Sequence, residues 1–173
     1  MVATANMRRL SHPRLARRRF PERTLHAVDI ENLAGMAIPT RGEVSKVQAV
    51  YLDRLGFGAE DQVVMAASHR GLLNAALAWP HARYQVRSGP NGADLALIDV
   101  LLHEDIPARF THVVIGSGDG LFARAATVLA SGGLRVTVAS RSASLSHVLR
   151  RAATDIVYLD KPRLPRPPHG LAA

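Results

Sequence analysis

Apolar residues along this chain fall into two alternating rhythms. Short runs rich in β-branched residues, bounded by glycine, serine or an acid, predict six strands: "TLHAVDIENL", "DQVVMAAS", "ARYQVRSG", "THVVIGSGD", "LRVTVAS" and "DIVYLD". Longer segments with helical spacing lie between them. "EVSKVQAVYLDRLGF" carries Val44, Val47, Val50, Tyr51 and Leu55 and stops at Gly56 and Gly58, while "RGLLNAALAWP" stops before Pro80. "GADLALIDVLLHED", "GLFARAATVLASGG" and "SLSHVLRRAAT" complete the set, the second of them ending at Gly132 and Gly133. Strands that alternate with helices call for right-handed crossovers, so the expected fold is α/β, a three-layer α/β/α sandwich around a mainly parallel sheet.

Both ends of the chain break the rhythm. The stretch "MRRLSHPRLARRRFPER" sets Arg8, Arg9, Arg14, Arg17, Arg18, Arg19 and Arg23 against the single acid Glu22, which reads as a basic, flexible arm over residues 1–23. After the domain at 24–160, the segment at 161–173 holds Pro162, Pro165, Pro167 and Pro168 and cannot continue a strand.

Composition narrows the partners. Lys and Arg number 22 against 14 Asp and Glu, a formal charge of +8 with a pI near 11.1, which suits a polyanion because neutralised phosphates release counterions. Arg17, Arg18 and Arg19 in the arm and Arg87 in the domain are the expected phosphate contacts, RNA-binding groups if the polyanion is RNA. The absence of cysteine removes disulfides and thiolate zinc sites and leaves oxygen or imidazole ligands for any metal. No apolar run is long enough to span a bilayer and the arginines at the start have no apolar segment behind them, so the expected location is cytoplasmic, with no membrane partner. Nothing in the sequence fixes the oligomeric state, and a homo-oligomer is compatible with it.

In parallel sheets, reactive groups gather beyond the carboxyl ends of the strands. Asp29 ends the first strand, with Glu31 and Asn32 beyond it; Asp119 follows the fourth; Asp94 opens the helix that leads into the fourth. Asp99 lies five residues further on, about 140° around the helix, and is a second-layer group. Carboxylates meeting at one edge repel unless a cation sits among them, and hard oxygen ligands select Mg²⁺ or Mn²⁺. The glycines on either side of Asp119 would let backbone and substrate approach closely, Gly116 and Gly118 would allow a sharp turn, and Ser117 would donate to a carboxylate or a phosphate. The competing reading is helix capping by each acid, a common use of Asp at strand-to-helix junctions. A dinucleotide fingerprint in "GSGDGL" is a further reading, opposed by Leu121 at the third glycine position and by the charge of Asp119.

Taken in order, "HAVDIENL", "GADLALIDVLL", "VVIGSGDGLFARAATVLASGGLRVTVAS" and "LSHVLRRAATDIVYLD" resemble the NYN domain family of the PIN-like nuclease superfamily, from about Leu25 to Asp160. The resemblance implies a PIN-like sheet and a divalent-metal-dependent ribonuclease. Its acidic site would map onto Asp29, Asn32, Asp94 and Asp119, with Mg²⁺ or Mn²⁺ on Asp29, Asp94 and Asp119, and Asp99 as a further acid. Family members often read S-G-D-x-D-F, whereas Leu121 precedes Phe122 here. That departure leaves a second outcome, an RNA-binding or adaptor protein that keeps the fold and cleaves weakly or not at all.

Overall fold

The computed structural model describes residues 22–162. Six strands form one sheet: β1 (Thr24–Asp29), β2 (Gln62–Ala67), β3 (Arg83–Val86), β4 (His112–Gly116), β5 (Arg135–Ser140) and β6 (Asp155–Tyr158), in the order β3-β2-β1-β4-β5-β6. Every pairing is parallel, so the sheet is wholly rather than mainly so. Seven helices connect the strands: α1 (Ile30–Ala34), α2 (Arg41–Leu55), α3 (Leu72–Ala78), α4 (Gly92–His103), α5 (Ile106–Arg109), α6 (Ala123–Ser131) and α7 (His147–Ala152).

Alternation along the strands sends side chains to two cores. Leu25, Ala27, Val113, Ile115, Val136 and Val138 pack with Leu97, Val100, Leu101, Ala126 and Leu129 on one face. Val28, Met65, Val114 and Ala139 pack with Leu33, Val44, Tyr51 and Trp79 on the other. Burial on both faces is what parallel crossovers require and explains the near-continuous apolar strands. The result is the three-layer sandwich that the rhythm of the sequence predicts.

Two local features differ from the expectation. β1 ends at Asp29 as expected, but the residues beyond it form a short helix with no counterpart in the sequence pattern: the Asp29 carboxylate caps the Asn32 N–H and starts α1. Helix α5 has no counterpart in the sequence pattern, because four residues are too few to show a period. The helix "GLFARAATVLASGG" also opens with a 3₁₀ turn at Gly120–Phe122 before α6.

Arg23, placed by the sequence in the flexible arm, is bonded at the amino end of the sheet. Its carbonyl accepts from Thr111 N at 3.0 Å, its Nε donates to the Glu60 carbonyl at 3.1 Å, and its guanidinium lies over Phe110. Arg17, Arg18, Arg19 and the rest of the arm through residue 21 lie outside the described residues, as does the tail from residue 163. No helix among the described residues is long and apolar enough to cross a membrane.

Candidate functional site

The strand order reverses direction at β1, whose neighbours β2 and β4 are reached by crossovers to opposite sides. Loops diverge at such a point and leave a crevice beyond the carboxyl ends. Val28 pairs with Gly116, so the next residues on the two strands, Asp29 and Ser117, are brought together there. The crevice is a cleft of about 490 Å³ whose walls include Asp29, Asn32, Asp94 and Asp119 from the predicted set.

Asp29 is only 4% exposed. One oxygen accepts from Asn32 N and the other from the Ser117 hydroxyl, each at 3.1 Å. Burial pushes its carboxyl up to about 7; the neighbouring Asp94 carboxylate adds to the rise, and the Asn32 N–H and Ser117 hydroxyl oppose it. Asp94, in the first turn of α4, is also raised, first by burial and then by the charges of Asp119 and Glu31, while its hydrogen-bonded contact with Asp29 works against the rise. Asp119 Oδ1 accepts from Leu121 N at 2.9 Å, and Asp119 N donates to Ser117 Oγ at 3.2 Å. Asp29 and Asp119 therefore do cap, as the competing reading holds, and they line the cleft as well. Asp94 caps nothing.

Asn32 ties the two loops together: its Oδ1 accepts from Gly118 N at 2.9 Å, and its carbonyl accepts from Arg141 at 3.1 Å. Of the two uses expected of the glycines, close approach is the one the structure displays. Neither Gly116 nor Gly118 has a positive φ. A Cβ at Gly118 would collide with the Ser144 carbonyl and stand 2.6 Å from Ser140 Oγ, and one at Gly116 would stand 3.2 Å from the Tyr51 ring. They are required by space, not by backbone handedness.

Asp99 is exposed and stands off the cleft wall; it touches the site only through Arg87, whose guanidinium it meets at 3.3 Å. Arg87 does line the cleft. Leu121 is 42% exposed and belongs to neither the core nor the cleft wall; Phe122 is the first buried residue of that turn. Sequence reasoning gives no role to Glu31, whose carboxylate accepts from Ser68 N at 2.8 Å, and misses the wall residues His69, Arg70 and Ser88. The strand-end rule that found the acids points equally to the loops after β2 and β3, where these three residues sit.

The strand order is also that of dinucleotide-binding folds. Such a site needs free backbone N–H groups to hold a pyrophosphate. Here the N–H groups of Gly118, Asp119 and Leu121 are already bonded to Asn32, Ser117 and Asp119. The loop is closed to that use.

Among the described residues, no three His, Asp or Glu side chains stand close enough together to hold a metal ion without adjustment. Asp29 and Asp94 are the pair in contact. Mg²⁺ is commonly bound through one or two carboxylates with the remaining positions filled by water, so a desolvated pair of this kind fits a hard divalent cation.

The sequence matches the NYN domain over residues 20–160, and the chain belongs to that family, a PIN-like nuclease family. Among solved structures it is similar to a protein of unknown function from Vibrio parahaemolyticus, at 17% identity and a TM-score of 0.56, over 80% of this chain and 93% of that one. That likeness bears on the fold alone. No curated protein matches the chain.

Proposed function

We propose that the protein is a divalent-metal-dependent ribonuclease whose cleft hydrolyses RNA phosphodiester bonds. The observation that carries this reading is the meeting of Asp29, Asp94 and Asp119 in one cleft at the reversal point of the sheet. Asp29 and Asp94 would hold Mg²⁺ or Mn²⁺, with Asp119 reaching it directly or through water. The ion supplies a lowered pKa for water and neutralises charge building on the phosphate. Ser117 keeps one Asp29 oxygen oriented, and Asn32 holds the Gly118 backbone so that Asp119 stays at the rim. The arm with Arg17, Arg18 and Arg19, together with Arg87, would hold the RNA backbone, in keeping with the formal charge of +8.

A second reading is supported by Leu121. It occupies the position where the family pattern often has an acid, and the described residues do not present three ligands ready for an ion. On that reading the chain binds RNA without cleaving it. Incubating the full chain with labelled single-stranded and structured RNAs, in Mn²⁺, Mg²⁺ or EDTA, decides between them. Ion-dependent cleavage that disappears in Asp29→Asn supports the ribonuclease; binding without cleavage in any ion supports the second reading.

A further inference from the structure

The cleft is divided by charge along the sheet. Its acids come from the ends of β1 and β4 and the start of α4, whereas the loops after β2 and β3 contribute His69, Arg70, Arg87 and Ser88. Neighbouring strands lie about 4.8 Å apart, so β3 is roughly 10 Å from β1. The basic wall therefore stands beside the acids, not among them.

That wall is fixed in place. His69 Nδ1 and the Ser88 hydroxyl are hydrogen-bonded to each other and fasten the two loops together. Glu31 holds the first loop through Ser68 N. In the second, Gly89 and Asn91 take left-handed φ values of 101° and 55°, and Gly92 packs so closely on the Arg87 carbonyl that a Cβ there would collide with it. These backbone angles and this close contact shape the loop that carries Arg87. Arg70 is exposed and has no carboxylate partner within ion-pair distance among the described residues. Among the described residues, the one ion pair of Arg87 is its exposed contact with Asp99.

The walls of the cleft hold no Phe, Tyr or Trp among the described residues. Proteins that grip single strands through their bases use aromatic stacking platforms. This cleft instead offers two guanidinium groups with hydroxyl and amide groups, which most often contact phosphate and sugar, and its one imidazole, His69, is tied to Ser88.

We propose that Arg70 and Arg87, on loops fastened by the His69–Ser88 hydrogen bond, form a phosphate clamp that holds the RNA backbone beside the acids without reading the base. The proposal rests on the ribonuclease reading for its RNA substrate. Its test is a binding measurement that needs no cleavage.

Fluorescence anisotropy of the full chain in EDTA is measured against oligo-U, oligo-A and an abasic ribose-phosphate oligomer of equal length, over a range of salt. The parent should bind all three within about threefold. The double variant Arg70→Gln, Arg87→Gln should bind each more weakly, with a salt slope lower by about 1.4, since each phosphate that is no longer neutralised lowers it by about 0.7. Arg70→Lys, Arg87→Lys should recover most of that slope, and circular dichroism of both variants should match the parent. An unchanged slope in the glutamine variant, or a loss confined to one base, overturns the clamp even if the protein cleaves RNA. A reduced slope in a protein that cleaves no RNA in any ion supports the clamp and defeats the ribonuclease reading alone.

Discussion

The hydroxyl of Ser117 donates to Asp29 across the junction of β4 and β1, spanning 88 residues of sequence with a 3.1 Å hydrogen bond. The same oxygen accepts from Asp119 N, so one fully buried side chain orients the two acids. Ser117→Ala strips a partner from each. Unfolding in urea should show a loss of about 1–2 kcal/mol, the usual consequence of leaving buried polar groups unsatisfied. A change below the error of the measurement would mean that water replaces the hydroxyl.

Asp29→Asn and Asp119→Asn keep the capping oxygen at each position and remove the charge that holds a hard cation. Each variant should fold and lose at least about a hundredfold in cleavage rate, since losing metal-activated water raises the barrier by several kcal/mol. Parental rates in both would remove these acids from the mechanism.

The pH dependence of stability combines two opposed contributions. His26, 2% exposed and stacked on Phe57, has its imidazole held down at about 4 by burial, which outweighs the charge of Asp61 at 3.6 Å. At neutral pH the two are therefore not an ion pair. A histidine depressed in the folded state loses stability as pH falls below the unfolded value of about 6.5. His112, lowered by burial and by Arg135, acts in the same sense. Asp29, raised to about 7, acts in the opposite one: its folded form holds a proton that the unfolded chain has released, so stability falls as pH rises through that range. At about 1.4 kcal/mol per unit, the His26 shift corresponds to roughly 3 kcal/mol and the Asp29 shift to roughly 4 kcal/mol, with opposite signs, and Asp94, also raised by burial, acts in the same sense as Asp29.

In EDTA, the parent should therefore change less in stability between about pH 4.5 and 6.5 than a variant that keeps only one of the two opposed groups. Asp29→Asn should become more stable as pH rises over that window, and His26→Gln less stable. Urea titrations at several pH values check the signs, and slopes of the same sign in both variants would exclude the opposition.

Leu121 is exposed, so Leu121→Asp should shift stability by no more than about 0.5 kcal/mol with or without Mn²⁺. The sequence alone leaves open that this leucine begins the buried face of the following helix. A large loss in the melting curve would restore that view.

Deleting residues 1–21 removes six arginines while sparing Arg23, which is bonded to Thr111 and Glu60. The melting temperature should stay unchanged, and the salt slope of RNA binding should fall by about 0.7 for each phosphate that the arm had neutralised. An unchanged slope would reduce the arm to a solubility feature.

Much of this is legible in the sequence because burial on both faces of a parallel sheet writes strands as apolar runs ended by turn residues. Asp29 and Asp119 stand at two of those endings, and strand-end logic places them together without any coordinates. What the sequence hides depends on distances across the fold. The contact of Gly118 with Ser144 and the grip of Asn32 on Gly118 N involve residues far apart in the chain and leave no periodic trace. Leu121 misleads for a related reason: a 3₁₀ turn precedes α6, so a helical count begun at Leu121 assigns its face wrongly.

The pairing of β1 with β4 also governs when the cleft can exist. Thr24 to Val28 must wait for His112 to Gly116 before their hydrogen bonds can form, whereas β2 and β3 are available sooner. Non-local parallel pairing is slow because the loop must close before contacts compensate for its entropy. A chain emerging from the ribosome therefore carries Asp29 and Asp94 well before Ser117 and Asp119 can reach them. The acidic edge thus depends on a long-range docking event, and on the ribonuclease reading a partly made or truncated chain has no complete cleft with which to act on the RNA that surrounds its own synthesis.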